Sequence, residues 1–329
     1  MSLRIGDHNE TVRQWRIIMS KRFAGYARVC GELPTDTDQF GPRAASWQKE
    51  YERRIGEPQD GVVSDDNLRA LGIPVPRNTR PVFFTVHGTG VADPLAPGLP
   101  ADTARAVLDL CDWQPIGNYP AAAFPMWPSI TKGQAELQYQ AGGGDDGRWK
   151  DRDIWLAGYS QGAIVVGQFL KHDVMDPNGA YHYLLPRIKK VVFWGNPMRQ
   201  KGIVAFDQWI HEVADADSHG ILDDRLEGLE NAPFQVRDYG HRKDMYACNH
   251  DTDTDEYKRS ICKIIMRATD FWNGPDSIVH QLIELGQRPL QEGIAMAQAI
   301  WQAGGFFTAL GINSPHAYNM YPAIDFLRA

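Results

Sequence analysis

Asp153-Ile154-Trp155-Leu156-Ala157-Gly158-Tyr159-Ser160-Gln161-Gly162-Ala163-Ile164-Val165-Val166-Gly167-Gln168-Phe169-Leu170-Lys171 is the stretch that decides the fold. Residues 153–157 read as a buried strand and residues 163–171 as an apolar helix. Between them, Gly158-Tyr159-Ser160-Gln161-Gly162 has the spacing of a nucleophile elbow. A serine there sits on a sharp strand-to-helix turn, and small residues on each side let the two elements close on one another. Its hydroxyl then stands at the carboxyl end of a sheet. An ordinary glycine-rich packing turn is the bland alternative, and the flanking strand and helix favour the elbow.

Working outward, strands alternate with helices on both sides of this turn. Val82 to Val86 reads as a strand, Ala101 to Leu110 as a helix, Ile188 to Trp194 as a strand ending at Gly195-Asn196-Pro197, and Phe234 to Arg237 as another strand. The runs are continuously β-branched and aromatic, which suits a parallel sheet covered on both faces. The expectation is a doubly wound α/β fold of the α/β-hydrolase type. From about Thr252 to Leu310 helical spacing takes over, and this block reads as a helical insertion.

Residues 1–75 differ. Val12, Trp15, Ile18 and Met19 share a helical face, Ala44, Trp47, Gln48 and Tyr51 follow on a second helix, and a third runs from a Ser64 cap to Gly72. Pro74 and Pro76 open a linker. The expected organisation is a small all-α domain over 1–75 and the hydrolase domain over 76–329.

The chain of 329 residues is 43% apolar, enough for a sizeable core. A net charge of -7 speaks against nucleic acid or anionic lipid as partner. No apolar run is long enough to span a membrane, and the first residues lack the hydrophobic core of a signal peptide. The four cysteines (Cys30, Cys111, Cys248 and Cys262) form no C-x-x-C pair, so neither a zinc ribbon nor a disulfide scaffold is expected; a Cys248–Cys262 bridge stays open.

A serine nucleophile needs a base, and the base an orienting acid, in the chain order Ser, acid, His. Of the late histidines, His280 lies on an apolar helix, while His241 and His250 crowd the strand-end acids. His316, in the loop Asn313-Ser314-Pro315-His316-Ala317-Tyr318, is the candidate base. Asp244 is the favoured acid, with Asp238 the alternative nearer its strand. The candidate oxyanion donors are the backbone N–H groups of Gln161, directly after the serine, and of Thr89 in His87-Gly88-Thr89-Gly90. No cofactor or metal is expected. Gly142 to Gly147 matches a dinucleotide pattern but precedes a strand, and Asp251 to Glu256 reads better as helix capping than as a calcium loop. His211, Asp215, Asp217 and His219 read as a solvated helix end rather than as metal ligands.

These residues carry a resemblance. His87-Gly88-Thr89-Gly90, Gly158 to Ala163, Trp194-Gly195-Asn196-Pro197, Asp244 with Cys248, and Ser314-Pro315-His316 resemble the cutinase-type serine esterases, and among them the lysin B enzymes of mycobacteriophages. Phe40-Gly41-Pro42-Arg43-Ala44, Trp47-Gln48, Asp60 to Val63 and the Leu68/Leu71 helix resemble the peptidoglycan-binding module of cell-wall hydrolases; a plain helical cap is the alternative. The resemblance implies hydrolysis of the ester between mycolic acids and arabinogalactan during phage release. It further implies binding to cell wall through the first domain, with the enzyme made in the host cytoplasm and acting at the envelope once the inner membrane is breached. The helical block would form an apolar wall or lid for a long acyl chain. Two features depart from plain cutinases: His316 stands far downstream of Asp244, and Cys248 lies one position later than the corresponding cysteine. A general cutinase or lipase, a mycoloyltransferase, or a wall-binding protein with a degenerate hydrolase domain are the competing readings.

Overall fold

The structure is a computed structural model and describes residues 2–75, 79–144, 147–208, 211–268, 278–285 and 314–329. The chain divides into two compact units, Met1–Asn78 and Thr79–Ala329.

In the first unit, α1 (Glu10–Arg22) starts where Asn9 Oδ1 accepts the Val12 N–H at 3.0 Å. After a short α2 (Ala27–Cys30) come α3 (Pro42–Ile55) and α4 (Asp65–Leu71). The α4 helix is capped by Ser64 Oγ on the Asn67 N–H and closed by Gly72 in the left-handed conformation (φ 75°). Val12, Trp15, Met19, Trp47, Tyr51, Leu68 and Leu71 bury into one core around Phe40, whose ring centroid lies 5.0 Å from that of Trp15. Each such side chain contributes roughly 1.5–3 kcal/mol on burial, which offsets the ordering of a unit this small.

The second unit is a parallel sheet wound on both faces. Its strands are β1 (Val82–Val86), β2 (Asp112–Pro115), β3 (Ile154–Tyr159), β4 (Ile188–Trp194) and β5 (Gln235–Tyr239), in the order β2-β1-β3-β4-β5 with every described pairing parallel. Side chains alternate between two cores. Val82, Phe84, Ile154, Leu156, Val191 and Phe193 face α6 (Met126–Ala141) and α7 (Gln161–Gln168). Phe83, Trp155, Ala157, Val192 and Trp194 face α5 (Leu99–Ala106) and the last helix, Tyr321–Arg328. Two buried faces explain the continuous apolar runs in the sequence. The strand order reverses direction between β1 and β3, and ligands of open α/β sheets bind outside the carboxyl ends of the strands at that point.

Element limits moved. The helix expected over Ala101 to Leu110 is α5, which starts earlier, at Leu99 with Pro100 in its first turn, and ends at Ala106. The strand expected over Phe234 to Arg237 is β5, displaced towards Tyr239. Neither β2 nor α6 was expected from the sequence. Of the helical insertion, the described parts are α8 (Asp253–Arg267) and α9 (Ile278–Leu285); Ile261, Ile265, Ala268, Ile278 and Leu282 form its own core. Its expected positions Trp272, Leu290, Ile294, Ala297 and Trp301 lie outside the described residues. Taking α8 and α9 in order, the helix Tyr321–Arg328 is α10. Among the described residues, no helix is long and apolar enough to cross a membrane.

Candidate active site

Ser160 sits between the last residue of β3 and the first of α7 with φ 53° and ψ -116°. A non-glycine residue there stores on the order of 1–3 kcal/mol, held by the packing around it. The flanking glycines explain how the turn closes. A Cβ on Gly158 would lie 2.5 Å from the Gly162 carbonyl oxygen, and one on Gly162 would lie 2.3 Å from that of Val86. Any side chain at either position would push α7 off the sheet. The Ser160 N–H donates to the Trp194 carbonyl at 3.0 Å, fastening the turn to the end of β4.

His316 arrives at the same end of the sheet. The Tyr159 hydroxyl donates to its backbone carbonyl at 2.9 Å, and the two rings stack with centroids 5.2 Å apart. Gly195 (φ 54°) underlies the imidazole, where a Cβ would come within 2.5 Å of His316 Cε1. That contact accounts for the glycine in Trp194-Gly195-Asn196-Pro197. His316 Nδ1 donates to Asp244 Oδ2 at 2.7 Å, and both side chains are buried. The bond fixes the tautomer with its proton on Nδ1, so that Nε2 carries the basic lone pair.

Asp244 is fully enclosed. Desolvation pushes its carboxyl up, but the charge and hydrogen bond of His316, the Tyr318 hydroxyl and the Tyr246 N–H (2.9 Å) outweigh it and hold the pKa below the ordinary carboxylate value. Asp238 behaves differently. It accepts from Asn196 Nδ2 at 2.8 Å rather than from His316, and burial, opposed by Arg199 and Asn196, pushes its pKa up to about 7. Of the two candidate acids, the geometry brings Asp244 to the histidine.

The two candidate oxyanion segments are joined by one side chain. The buried Gln161 amide accepts from the Tyr119 hydroxyl (2.6 Å) and Ser129 Oγ (3.0 Å), and donates to the Ala122 carbonyl (2.8 Å) and Thr89 Oγ1 (3.3 Å). All four of its hydrogen-bonding positions are used. As the first residue of α7, Gln161 has an N–H with no intrahelical acceptor, available at the positive end of the helix. Gly88 packs on the elbow, where a Cβ would lie 3.3 Å from Ser160 Cβ, so Thr89 follows directly from a contact with the serine.

Residues that the sequence reading left without a role complete the arrangement. Tyr318 donates its hydroxyl to Asp244 Oδ2. Its ring stacks on the buried His241 with centroids 4.2 Å apart, and His241 Nδ1 donates to the Pro315 carbonyl at 2.8 Å, steadying the His316 loop. Tyr318 stood in the quoted loop, but only the fold turns it towards Asp244. Cys248 and Cys262 are free thiols. One expectation is corrected: residues 211–219 are not a helix end but an irregular segment bonded to residues 240–249, with His219 fully buried against Asp251. The acidic run after Asp251 does cap α8, with Thr252 Oγ1 accepting the Asp255 N–H at 3.2 Å.

No protein-family model matches the chain. It is 59% identical to the endolysin B of Mycobacterium phage D29 over 252 residues, 76% of this chain and 99% of that protein. The endolysin B of Mycobacterium phage L5 is 59% identical over 252 residues, with the same coverage. The crystal structure of lysin B from mycobacteriophage D29 matches with a TM-score of 0.71, covering 76% of this chain and 100% of that one.

Proposed function

The chain belongs to the mycobacteriophage endolysin B family, and from that premise we propose that it is a serine esterase acting on the mycolate–arabinogalactan ester of the mycobacterial envelope. The observation that carries the reading is the buried His316–Asp244 pair at the end of the sheet where Ser160 is held in a strained turn. In the proposed reaction Ser160 Oγ attacks the ester carbonyl while His316 Nε2 takes its proton. Asp244 stabilises the imidazolium, and the N–H groups of Thr89 and Gln161 receive the oxyanion, each contributing about 3 kcal/mol in the transition state. His316 returns the proton to the leaving sugar hydroxyl. Water, activated by the same histidine, then cleaves the acyl-enzyme and frees the fatty acid.

The acyl side of the substrate is supported by the insertion. The α8–α9 core packs on Met245, the neighbour of Asp244, and offers an apolar wall beside the acid loop. For the first unit we propose peptidoglycan or cell-wall binding, supported by a cavity of about 570 Å³ lined by Arg16, Thr37, Gln39, Arg43 and Ser46. The exposed Arg43 guanidinium and the half-buried Thr37 hydroxyl of that lining suit carboxylate- and hydroxyl-bearing polymers. Action at the envelope after synthesis in the host cytoplasm follows from the same reading.

Lipid analysis of purified mycobacterial cell wall treated with wild type and Ser160→Ala tests it. Free mycolic acid released by the wild type alone is expected. Release by both proteins would remove Ser160 from the mechanism. Cleavage of short-chain esters without mycolate release would leave a general cutinase, and transfer of mycolate to an added sugar would identify a transferase.

A further inference from the structure

Beyond its contact with His316, the loop carrying Asp244 is tied to a second segment. Cys248 returns its N–H to the Asp244 carbonyl at 2.8 Å, and His250 follows shortly after. Opposite runs the segment 212–219, laced to this loop by backbone bonds on both sides. The Ala214 N–H donates to Gly240 O and the Arg242 N–H to Glu212 O, each at 2.8 Å; His219 and Asn249 exchange a reciprocal pair at 2.9 and 2.8 Å. The lacing sets Asp215 and Asp217 against Cys248 and His250.

One donor atom each of Asp215, Cys248 and His250 lies within 4.8 Å of the other two. His250 Nε2 is 3.5 Å from Asp215 Oδ2 and 3.8 Å from Asp217 Oδ1. Donors bound to a tetrahedral zinc at about 2.0–2.3 Å stand roughly 3.3–3.8 Å apart, so small side-chain movements close the set. The other oxygen of Asp215 accepts from Arg242 Nη2 at 2.7 Å, the kind of outer contact that orients a ligating carboxylate. Thiol, imidazole and carboxylate together form a borderline-soft set. Calcium and magnesium want oxygen alone, whereas zinc takes this mixture.

We propose that Asp215, Cys248 and His250 bind a zinc-class divalent transition cation, with Asp217 or water in the fourth position. Binding forms the sulfur, nitrogen and oxygen bonds to the metal and releases the Cys248 thiol proton to solvent. The cation takes no part in ester chemistry. It clamps segment 212–219 to the loop that holds Asp244, and so stabilises that loop.

The test uses the full-length protein, stripped with a chelator and titrated with Co²⁺. One cobalt per chain is expected, with a near-ultraviolet thiolate-to-cobalt band that zinc displaces. The band should vanish in Cys248→Ser, and persist in Cys30→Ser and in Ser160→Ala. Absence of the band, or its survival in Cys248→Ser, overturns the site. In the unaltered chain, zinc should slow iodoacetamide alkylation of Cys248 roughly tenfold or more, because the coordinated thiolate is no longer free to attack. An unchanged alkylation rate overturns the site without any variant having to fold. Zinc binding that leaves Tm unmoved would overturn the clamp.

Discussion

Asp238 within β5 and Asp244 in the loop that follows it are both buried, yet burial decides the state of one and hydrogen bonding that of the other. Asp238 has one partner in Asn196, so desolvation prevails and its pKa rises to about 7. An unfolded aspartate titrates near 4. Between about pH 4 and 7 the folded chain therefore binds more protons than the unfolded one at this site, and its contribution to stability falls as pH rises through that window. Denaturant unfolding at pH 5 and pH 8 should show Asp238→Asn gaining on wild type at the higher pH, by on the order of a few kcal/mol. A constant gap would contradict the assignment. Asp244 resists protonation because His316, Tyr318 and Tyr246 all bond to it. Removing the hydroxyl in Tyr318→Phe takes away one charge-assisted bond, commonly about 1.5–3 kcal/mol. Ester-hydrolysis kinetics should show kcat down roughly tenfold or more with KM little changed. An unchanged kcat would make Tyr318 a packing residue only.

At the scale of elements, the β3–α7 joint is where sequence and structure agree most closely. Its glycines are demanded by close backbone contacts: Gly158 lies against the Gly162 carbonyl within the turn, and Gly162 against the carbonyl oxygens of Val86 and His87 at the end of β1. Gly162→Ala should lower stability by roughly 1–3 kcal/mol, since backbone rather than a flexible side chain must move. Thermal melts would register the loss, and a Tm equal to wild type would mean that α7 can shift freely. The buried strands were legible because two covered faces leave long apolar runs. The edge strand β2 was not, since Asp112 to Pro115 is only half-buried and carries little pattern. Helix α6 hid for another reason. Its buried positions include Ser129 and Gly133, chosen for the Gln161 bond and for close approach to Tyr119 rather than for hydrophobicity.

At the scale of the molecule, each unit has its own core, and the 252 residues matched to the phage D29 protein account for nearly all of that relative. A fragment of residues 79–329 should fold and keep wild-type turnover on a small soluble ester, while losing retention on purified cell wall. Equal wall binding by fragment and full chain, measured by sedimentation, would leave the first unit no such role. The sequence by itself determined the doubly wound class, the strand–serine–helix turn and the candidate order of serine, acid and histidine. These follow from local chemistry: burial pattern, glycine spacing and the few residue types able to move a proton. The sequence already favoured Asp244 over Asp238, but only the tertiary structure shows Asp244 bonded to His316 and Asp238 to Asn196, turns Tyr318 and His241 towards the histidine loop, and sets Asp215 beside Cys248 and His250. Those relations join residues far apart in the chain, and loop packing, which leaves no periodic trace in sequence, is what brings them within bonding distance.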